Sequence, residues 1–120
     1  MWRLPLTLLR LQQTAWKHAR AMKHHDLVLS PVLGHVTREL GYLSPEVPFP
    51  ELFQRIMHYV CFTPINNANG SPAIALPVGA ASNGLPIGVQ LTAAHGDERT
   101  LLEIAYELEQ ARPWRRITDS

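Results

Sequence analysis

The chain has 120 residues, a length that supports at most one domain. Apolar residues make up 46% of the sequence and charged residues 18%, which is typical of a globular protein and excludes a highly charged, disordered chain. The net charge is +1 and the 11 basic residues are scattered, so we expect no nucleic-acid partner, which would require basic residues concentrated on one face.

The sequence also bears on membrane association and on compartment. No stretch approaches the ~20 apolar residues that a membrane-spanning helix requires, so we expect no membrane partner. The apolar segment of residues 1–9 is interrupted by Pro5, and no small-residue cleavage site follows it. The single cysteine, Cys61, excludes an internal disulfide and fits a reducing compartment. We therefore expect a cytoplasmic protein.

The first predicted element is an amphipathic helix of about four turns, because apolar residues recur every three or four positions. After His24 and His25 the pattern changes to a short apolar run, Asp26–Pro31, without polar alternation. Such a run predicts a strand covered on both faces, which Pro31 ends or holds at a sheet edge. The apolar positions of the helix are Leu8, Leu11, Ala15, Ala19 and Met22.

Proline and glycine are frequent in the middle of the chain. These residues oppose regular structure over residues 34–50, which we predict to be an irregular loop. A second helix fits Glu51–Cys61, and Thr63-Pro64 stops it, since the residue before a proline avoids helical geometry. Residues 65–71, rich in asparagine and glycine, are interpreted as an ordered loop. The predicted buried stripe of the helix is Leu52, Phe53, Ile56, Met57 and Val60.

Two strands and a last helix follow. Ala73–Val78 and Ile87–Thr92 are strand candidates, and the intervening Ser82-Asn83-Gly84 predicts a turn, because Asn-Gly tolerates positive φ. A helix is predicted over Glu98–Ala111, with Asp97 as its N-cap. The sequence thus predicts an α/β fold of about three strands and three main helices, with open sheet edges. The buried stripe of the last helix is Leu101, Ile104, Ala105 and Leu108.

Three blocks of this sequence resemble the C-terminal portion of the amidase signature family. Asp26-Leu-Val-Leu-Ser-Pro31 is similar to a family strand that ends in a small hydroxyl residue and a proline. The block from Phe62 through Pro77 and Gly79 resembles a family segment written Phe-Thr…Asn-x-Thr-Gly-x-Pro-Ala-x-Ser-Leu-Pro-x-Gly, with Asn69 for Thr and Ala75 for Ser. Gly84–Trp114 combines a strand opened by Gly-Leu-Pro with an acidic-capped helix that closes on Pro-Trp. The blocks are collinear and have the family's spacing.

This resemblance implies a slice of an α/β/α sandwich whose mixed sheet is completed by upstream sequence, so that residues 1–120 form a single partial domain. Amidases of this family hydrolyse a carboxylic amide to acid and ammonia through a Ser–Ser–Lys triad and an acyl-serine intermediate. The triad belongs to an upstream Gly/Ser-rich region. Here the only lysines are Lys17 and Lys23 and no Gly-Ser-Ser-Gly run occurs, so no catalytic residue is assigned.

The resemblance implies a part of the acyl pocket instead. Thr63 and Asn67 are the predicted substrate-binding residues; in the alternative, Asn67 and Asn69 hydrogen-bond the loop backbone. The implied partners are a small-molecule amide substrate in the complete enzyme and the missing N-terminal half or a partner chain. We expect no cofactor and no metal, because the six histidines lack helical ligand spacing and no carboxylate or cysteine completes a ligand set.

Two other functions stay open at this point. The chain is alternatively a non-catalytic binding or assembly module that pairs with another chain through open sheet edges, and a homo-oligomer would favour this interpretation. His58 and Cys61 are three residues apart on a predicted helix, as a base and a nucleophile could be, although a buried structural cysteine beside a surface histidine is the simpler interpretation. A truncated gene product, an expressed fragment and half of a split enzyme are equally compatible with the sequence.

Overall fold

The computed structural model describes residues 3–116, with side chains from residue 6 onward. Residues 1–2 and 117–120, which belong to the predicted partial domain, lie outside the described range. Within that range a three-stranded antiparallel sheet has the order β1–β3–β2 and is flanked by four α-helices. The strands are β1 (Leu27–Pro31), β2 (Ala73–Ala80) and β3 (Pro86–Ala93). The helices are α1 (Arg3–Ala21), α2 (Phe49–Tyr59), α3 (Pro64–Asn69) and α4 (Glu98–Ala111), and a 3₁₀ turn, Met22–His24, follows α1.

The predicted α/β class and the three strands are confirmed. The pairing within the described sheet is antiparallel throughout, so the mixed sheet stays a prediction for a complete enzyme. No helix among residues 3–116 is long and apolar enough to cross a membrane.

Strand β1 lies at one edge of this sheet and ends at Pro31, as predicted. Its pairing with β3 sets Leu29 opposite Leu91 and Ser30 opposite Gln90. The prediction that this strand is covered on both faces is wrong for the described structure, because Val28 and Leu29 are exposed. An apolar run indicates that both faces of a strand are suited to burial, but it does not specify which residues cover them.

Strands β2 and β3 form a hairpin, which confirms the predicted turn. Gly84 adopts a left-handed conformation with φ of 82°, and the Asn83 side-chain oxygen accepts a hydrogen bond from the backbone N–H of Leu85 at 3.2 Å. These are the two properties for which Asn-Gly is selected in tight connections. The register shifts between Leu76 and Gly79, so the hairpin contains an irregularity near its turn.

The core lies between the sheet and α4. Alternate residues of β3 face this helix because successive side chains of a strand point to opposite faces. The predicted stripe of α4 is confirmed, since Leu101 and Ala105 are buried and Ile104 and Leu108 pack against them. Asp97 occupies the N-cap position but makes no bond to the helix backbone; its carboxylate accepts a hydrogen bond from the Thr100 hydroxyl at 2.8 Å. The buried core residues are Leu76, Leu91, Ala93, Leu101 and Ala105.

The outer surface of α4 carries an exposed ion pair. The Arg99 Nε and a carboxylate oxygen of Glu103 are 2.6 Å apart, one helical turn from each other. The hydrogen bond that Arg99 donates to Glu103 raises the pKa of the guanidinium, and the charge of the carboxylate adds to this effect. Because the pair is exposed, we expect it to contribute little to stability.

The predicted buried stripe of α2 is also wrong. No residue of this helix is buried, and Phe53, Ile56 and Met57 are exposed. The helix begins at Phe49 rather than at Glu51, because Pro50 suits the first helical turn, where an N–H has no intrahelical acceptor. A periodic stripe indicates one apolar side of a helix, and none of the described residues covers that side of α2.

Helix α1 is longer at its N-terminus than predicted. It begins at Arg3, and Pro5 is accommodated in its first turn. Leu8 and Leu11 of the predicted stripe are exposed, so its first turns extend away from the core. No described side chain of α1 is buried, and the following 3₁₀ turn supplies one buried residue, Met22.

Residues 65–71 were predicted to be a loop, and this is wrong, because Pro64–Asn69 is helical. Pro64 stands at the start of α3, where proline is favoured, and Gly70 ends it with a left-handed φ of 74°. The proline that was interpreted as the end of one helix is therefore the beginning of the next. Helix α2 has already ended at Tyr59.

Residues 32–48 contain bends and turns, and they contact α2 closely at one glycine. The backbone N–H of Gly34 donates to the carbonyl of Tyr59 at 2.9 Å. A Cβ atom at Gly34 would overlap the backbone oxygen of His58 and would lie 2.9 Å from the Cys61 Sγ atom. The close approach of these two backbones therefore requires glycine.

We expect Gly34→Ala to lower the free energy of unfolding by about 1–3 kcal/mol, because backbone atoms must move to admit the methyl group. Gly79→Ala is the matched control, since its Cβ would meet Ile87 at an ordinary 3.7 Å; we expect a change within about 0.5 kcal/mol. Urea unfolding of the full chain measures both values. Equal losses in the two variants would contradict the assigned contact.

Candidate functional site

The sheet face that points away from α4 carries a buried polar network. It is centred on Asn66, whose side-chain nitrogen donates to the hydroxyl oxygens of Ser71 and Thr92, both at 2.9 Å. The Asn66 side-chain oxygen accepts from the Gln90 amide at 2.8 Å. All four residues are buried, so each of these bonds replaces hydration that the group has lost. One carboxamide thus joins α3, the segment before β2, and β3.

A second carboxamide, that of Asn69, continues this network. Its oxygen accepts from the backbone N–H of Ser71 at 2.8 Å and from the Ser71 hydroxyl at 2.6 Å. The Asn69 backbone carbonyl lies 2.7 Å from the Nε2 atom of His95, which follows β3. The interpretation that Asn69 hydrogen-bonds local backbone is therefore confirmed. Asn69 fixes the turn from α3 into β2.

Helix α1 is attached to the same face by two side chains. The Thr14 hydroxyl is shared between the Leu11 carbonyl of its own helix at 2.6 Å and the Ala68 carbonyl at 3.1 Å, and the His18 Nε2 atom lies 3.1 Å from the Ala93 carbonyl. The imidazole rings of His18 and His95 meet edge to face, with their centroids 5.4 Å apart. The polar face is thus closed by α1 and α3 at the end of the sheet where β3 finishes.

The other end of the sheet is open and forms an apolar cavity of about 540 Å³. Loop residues 32–37 form one wall and the β2–β3 hairpin forms the opposite wall. A Cβ at Gly88 would lie 3.0 Å from a methyl carbon of Val32, so glycine allows the loop to approach the strand. The lining residues include Val32, Leu33, Val36, Pro77, Ile87 and Gly88. A wall of this kind suits the apolar part of a small molecule.

His35 belongs to the loop wall of this cavity. Its Nδ1 atom lies 2.9 Å from the Val36 carbonyl, and its ring packs against Tyr42 and Tyr59 at centroid distances of 5.8 and 5.0 Å. Its Nε2 atom is buried without a hydrogen-bond partner among the described residues. His35 thereby connects the cavity wall to the side of α2 that faces the chain.

The two residues predicted to bind substrate lie on α3 and not in the cavity wall. Thr63 is half-buried at the N-cap of α3, where its side chain makes no capping bond, and Asn67 is exposed. The structure brings together Asn66 and Asn69 instead, which are three residues apart and share one helix face. Had the segment been interpreted as a helix, this spacing would have indicated the network. A role for Thr63 and Asn67 in substrate binding stays a prediction.

Cys61 and His58 do not form an activated pair in the described structure. Both side chains are exposed, Cys61 is a free thiol, and no hydrogen bond joins the two groups. The expectation of a buried structural cysteine is wrong, although its Sγ atom does lie close to Gly34. A thiol is activated by a base within hydrogen-bond reach, and this geometry does not supply one.

Comparison with known proteins identifies the family. The Amidase family model matches residues 6–102, and the chain belongs to this family. AmiC of Mycobacterium tuberculosis, a protein named as an amidase, is 42% identical over 115 residues, which are 96% of this chain and 24% of AmiC. The 6-aminohexanoate-cyclic-dimer hydrolase of Pseudomonas sp. is 40% identical over 95 residues, which are 74% of this chain and 19% of that enzyme.

A solved structure supports the same assignment. The structure of 6-aminohexanoate cyclic dimer hydrolase superposes with a TM-score of 0.76 at 36% identity, covering 90% of this chain and 24% of that chain. The chain therefore spans about a quarter of the length of the relatives it matches. This coverage is consistent with a C-terminal portion of an amidase, as the three sequence blocks predicted.

We expect Asn66→Leu to lower the free energy of unfolding by about 2–3 kcal/mol, because the buried amide of Gln90 loses its acceptor and two buried hydroxyls lose a donor. Asn67→Leu adds the same side chain at the next, exposed position of α3, and should change the stability by no more than about 0.5 kcal/mol. Urea unfolding of the full chain compares the two variants. Equal effects would show that the network does not hold this face.

Proposed function

We propose that the chain is the C-terminal segment of an amidase and supplies scaffold and part of the acyl pocket to a catalytic centre formed by other sequence. The reaction of the complete enzyme would be hydrolysis of a carboxylic amide to acid and ammonia through an acyl-serine intermediate. Family membership over residues 6–102 carries this proposal. Because the sequence has no Gly-Ser-Ser-Gly run and no lysine in a matching context, the isolated chain should be inactive.

The cavity provides the chemical contribution of this segment. The cavity has a volume of about 540 Å³, and its wall is built mainly from aliphatic side chains and prolines on a loop and a hairpin. An apolar wall binds the acyl part of an amide by removing apolar surface from water, and it leaves the carbonyl to polar groups elsewhere. Thr63 and Asn67 would act as polar contacts beyond this wall, at the start and on the exposed side of α3.

Two relatives support an amide substrate. One carries the name of an amidase and the other that of a hydrolase of a cyclic dimer of 6-aminohexanoate. We extend the class of reaction to this chain and not a particular substrate. A cytoplasmic location is part of the same proposal and rests on the single cysteine, which fits a reducing compartment.

A second candidate is a non-catalytic assembly module that pairs with another chain, which includes a second copy. The exposed edge strand β1, with Val28 and Leu29 open to solvent, favours it. The two candidates differ in one respect, since only the first requires that amide hydrolysis depend on this segment.

A hybrid enzyme tests the proposal. The hybrid hydrolase is the Pseudomonas 6-aminohexanoate-cyclic-dimer hydrolase in which this chain replaces the matched segment. We expect the hybrid to hydrolyse the cyclic dimer, while the isolated 120-residue chain releases no ammonia from small aliphatic or aromatic amides. Controls are the host enzyme without the segment and a Cys61→Ala hybrid, which should retain the hybrid's kcat/KM.

Two results would contradict the proposal. A folded hybrid without hydrolase activity would show that this segment does not support the family's chemistry. Turnover by the isolated chain that survives repurification and disappears on alkylation would instead assign a nucleophile to Cys61.

In the hybrid, we expect Thr63→Val and Asn67→Ala to raise KM by about 3–10-fold with little change in kcat, because a lost hydrogen bond weakens ground-state and transition-state binding alike. Steady-state kinetics on the cyclic dimer measure both parameters. Gln54→Ala, at an exposed position of α2, is the control. An unchanged KM in both variants would remove these residues from the pocket.

A further inference from the structure

Helix α2 exposes a continuous apolar stripe to solvent. Phe49, Phe53 and Met57 follow one another at intervals of four residues, and Ile56 lies beside them. Their exposed fractions are 76, 53, 47 and 38%, and the rings of Phe49 and Phe53 stand 6.0 Å apart. Single exposed apolar residues are ordinary on protein surfaces, whereas an aligned set of four on one helix face marks an interaction surface.

The other side of α2 is already held by this chain. The Arg55 guanidinium donates to the Tyr42 carbonyl at 2.6 Å and lies 4.6 Å from the centre of the Tyr42 ring. Tyr59 packs against His35, in the wall of the apolar cavity. The helix is therefore fixed with the stripe facing outward. By contrast, residues 6–13 of α1 are exposed all round, so no single face of that segment is distinguished.

The charge around the stripe indicates a neutral partner surface. Glu51 and Arg55 form an ion pair on the same helix, with 2.5 Å between Oε1 and Nη2. Each neutralises the other, so neither requires an opposite charge on a partner. The partner should therefore present apolar side chains opposite the stripe, as helix packing in a protein core does.

The amount of exposed surface indicates the size of the partner. The chain has an accessible surface of 9626 Å², whereas a compact monomer of its mass exposes about 6,500 Å². The excess of about 3,000 Å² is larger than the roughly 1,000–2,500 Å² that an obligate interface removes from one subunit. Enclosure by a larger body accounts for such an excess better than a single patch shared with a second copy.

We propose that the α2 stripe is the docking surface for the polypeptide that completes the amidase fold around this segment. This inference rests on the proposed function and adds the place of assembly to it. The stripe packs against apolar side chains of the remaining sequence, which in the superposed hydrolase makes up about three quarters of the chain. Since α2 also holds the loop wall of the cavity, docking there fixes the wall relative to the catalytic centre.

The test uses the hybrid hydrolase defined above, with Phe53→Glu compared with Gln54→Glu. Both variants add one negative charge to the exposed side of α2, but only the first places it within the stripe. We expect Phe53→Glu to lower the Tm of the hybrid by about 5 °C or more, because it buries a charge in an apolar contact, and Gln54→Glu to shift it by less than about 1 °C. In the isolated chain both variants should leave the circular dichroism spectrum unchanged.

The outcomes separate this inference from the proposed function. A folded but inactive hybrid contradicts the proposed function, while its Tm still tests docking. An active hybrid with equal Tm values in both variants overturns the docking surface alone. If the hybrid does not fold, binding of the isolated chain to the host enzyme without its matched segment replaces the Tm, and equal affinities of the Phe53→Glu and Gln54→Glu chains overturn the docking surface. If sedimentation shows a dimer of the isolated chain that Phe53→Glu dissociates while the hybrid is insensitive, the occupant is a second copy.

Discussion

The polar face of this sheet depends on the hydrogen bonds of the Asn66 carboxamide. Its two donor bonds and one acceptor bond connect α3 to Ser71, in the segment before β2, and to Thr92 and Gln90 on β3. Each bond contributes only about 0.5–1.5 kcal/mol on balance, but a buried partner left unsatisfied costs about 1–3 kcal/mol. The network therefore adds little net stability, but it specifies one orientation of α3 on the sheet. Any other orientation of α3 would leave several buried polar groups without partners.

The two faces of the sheet are closed by different kinds of interaction. On one face, α4 covers β2 and β3 with aliphatic side chains, and this contact tolerates small adjustments because apolar packing is not directional. On the other face, α3 and α1 are held by hydrogen bonds with fixed geometry, from Asn66 and Thr14 among others. Among the described residues, the edge strand β1 and the apolar stripe of α2 remain exposed. The segment therefore has a packed core of its own and exposes apolar surface on its outside, as expected of a chain that spans about a quarter of an amidase.

The sequence predicted an element correctly where the residues that pack against it belong to this chain. The stripe of α4 and the β2–β3 turn were predicted correctly, because periodicity and Asn83-Gly84 encode local geometry whose partners are close in sequence. The burial of Phe53 and its neighbours was predicted wrongly, because a stripe specifies that an apolar side exists and not what covers it. Helix α3 was missed because asparagine and glycine favour loops, whereas Pro64 at its start and Gly70 after its end are helix boundaries.

Under the proposed function, the contribution of this segment to an amide hydrolase is geometric, since the described residues include no activated nucleophile. The cavity exists because Gly88 lets Val32 approach β3, and this approach follows from the pairing of Pro31 with Val89 at the end of β1. The loop that leaves this strand is in turn attached to α2 through the bond between Gly34 and Tyr59. The β1–β3 register, the loop after β1 and helix α2 are thus connected by direct contacts that run from the sheet to the exposed stripe. If the proposed docking holds, a displacement of α2 by its partner would be transmitted through these contacts to the cavity wall.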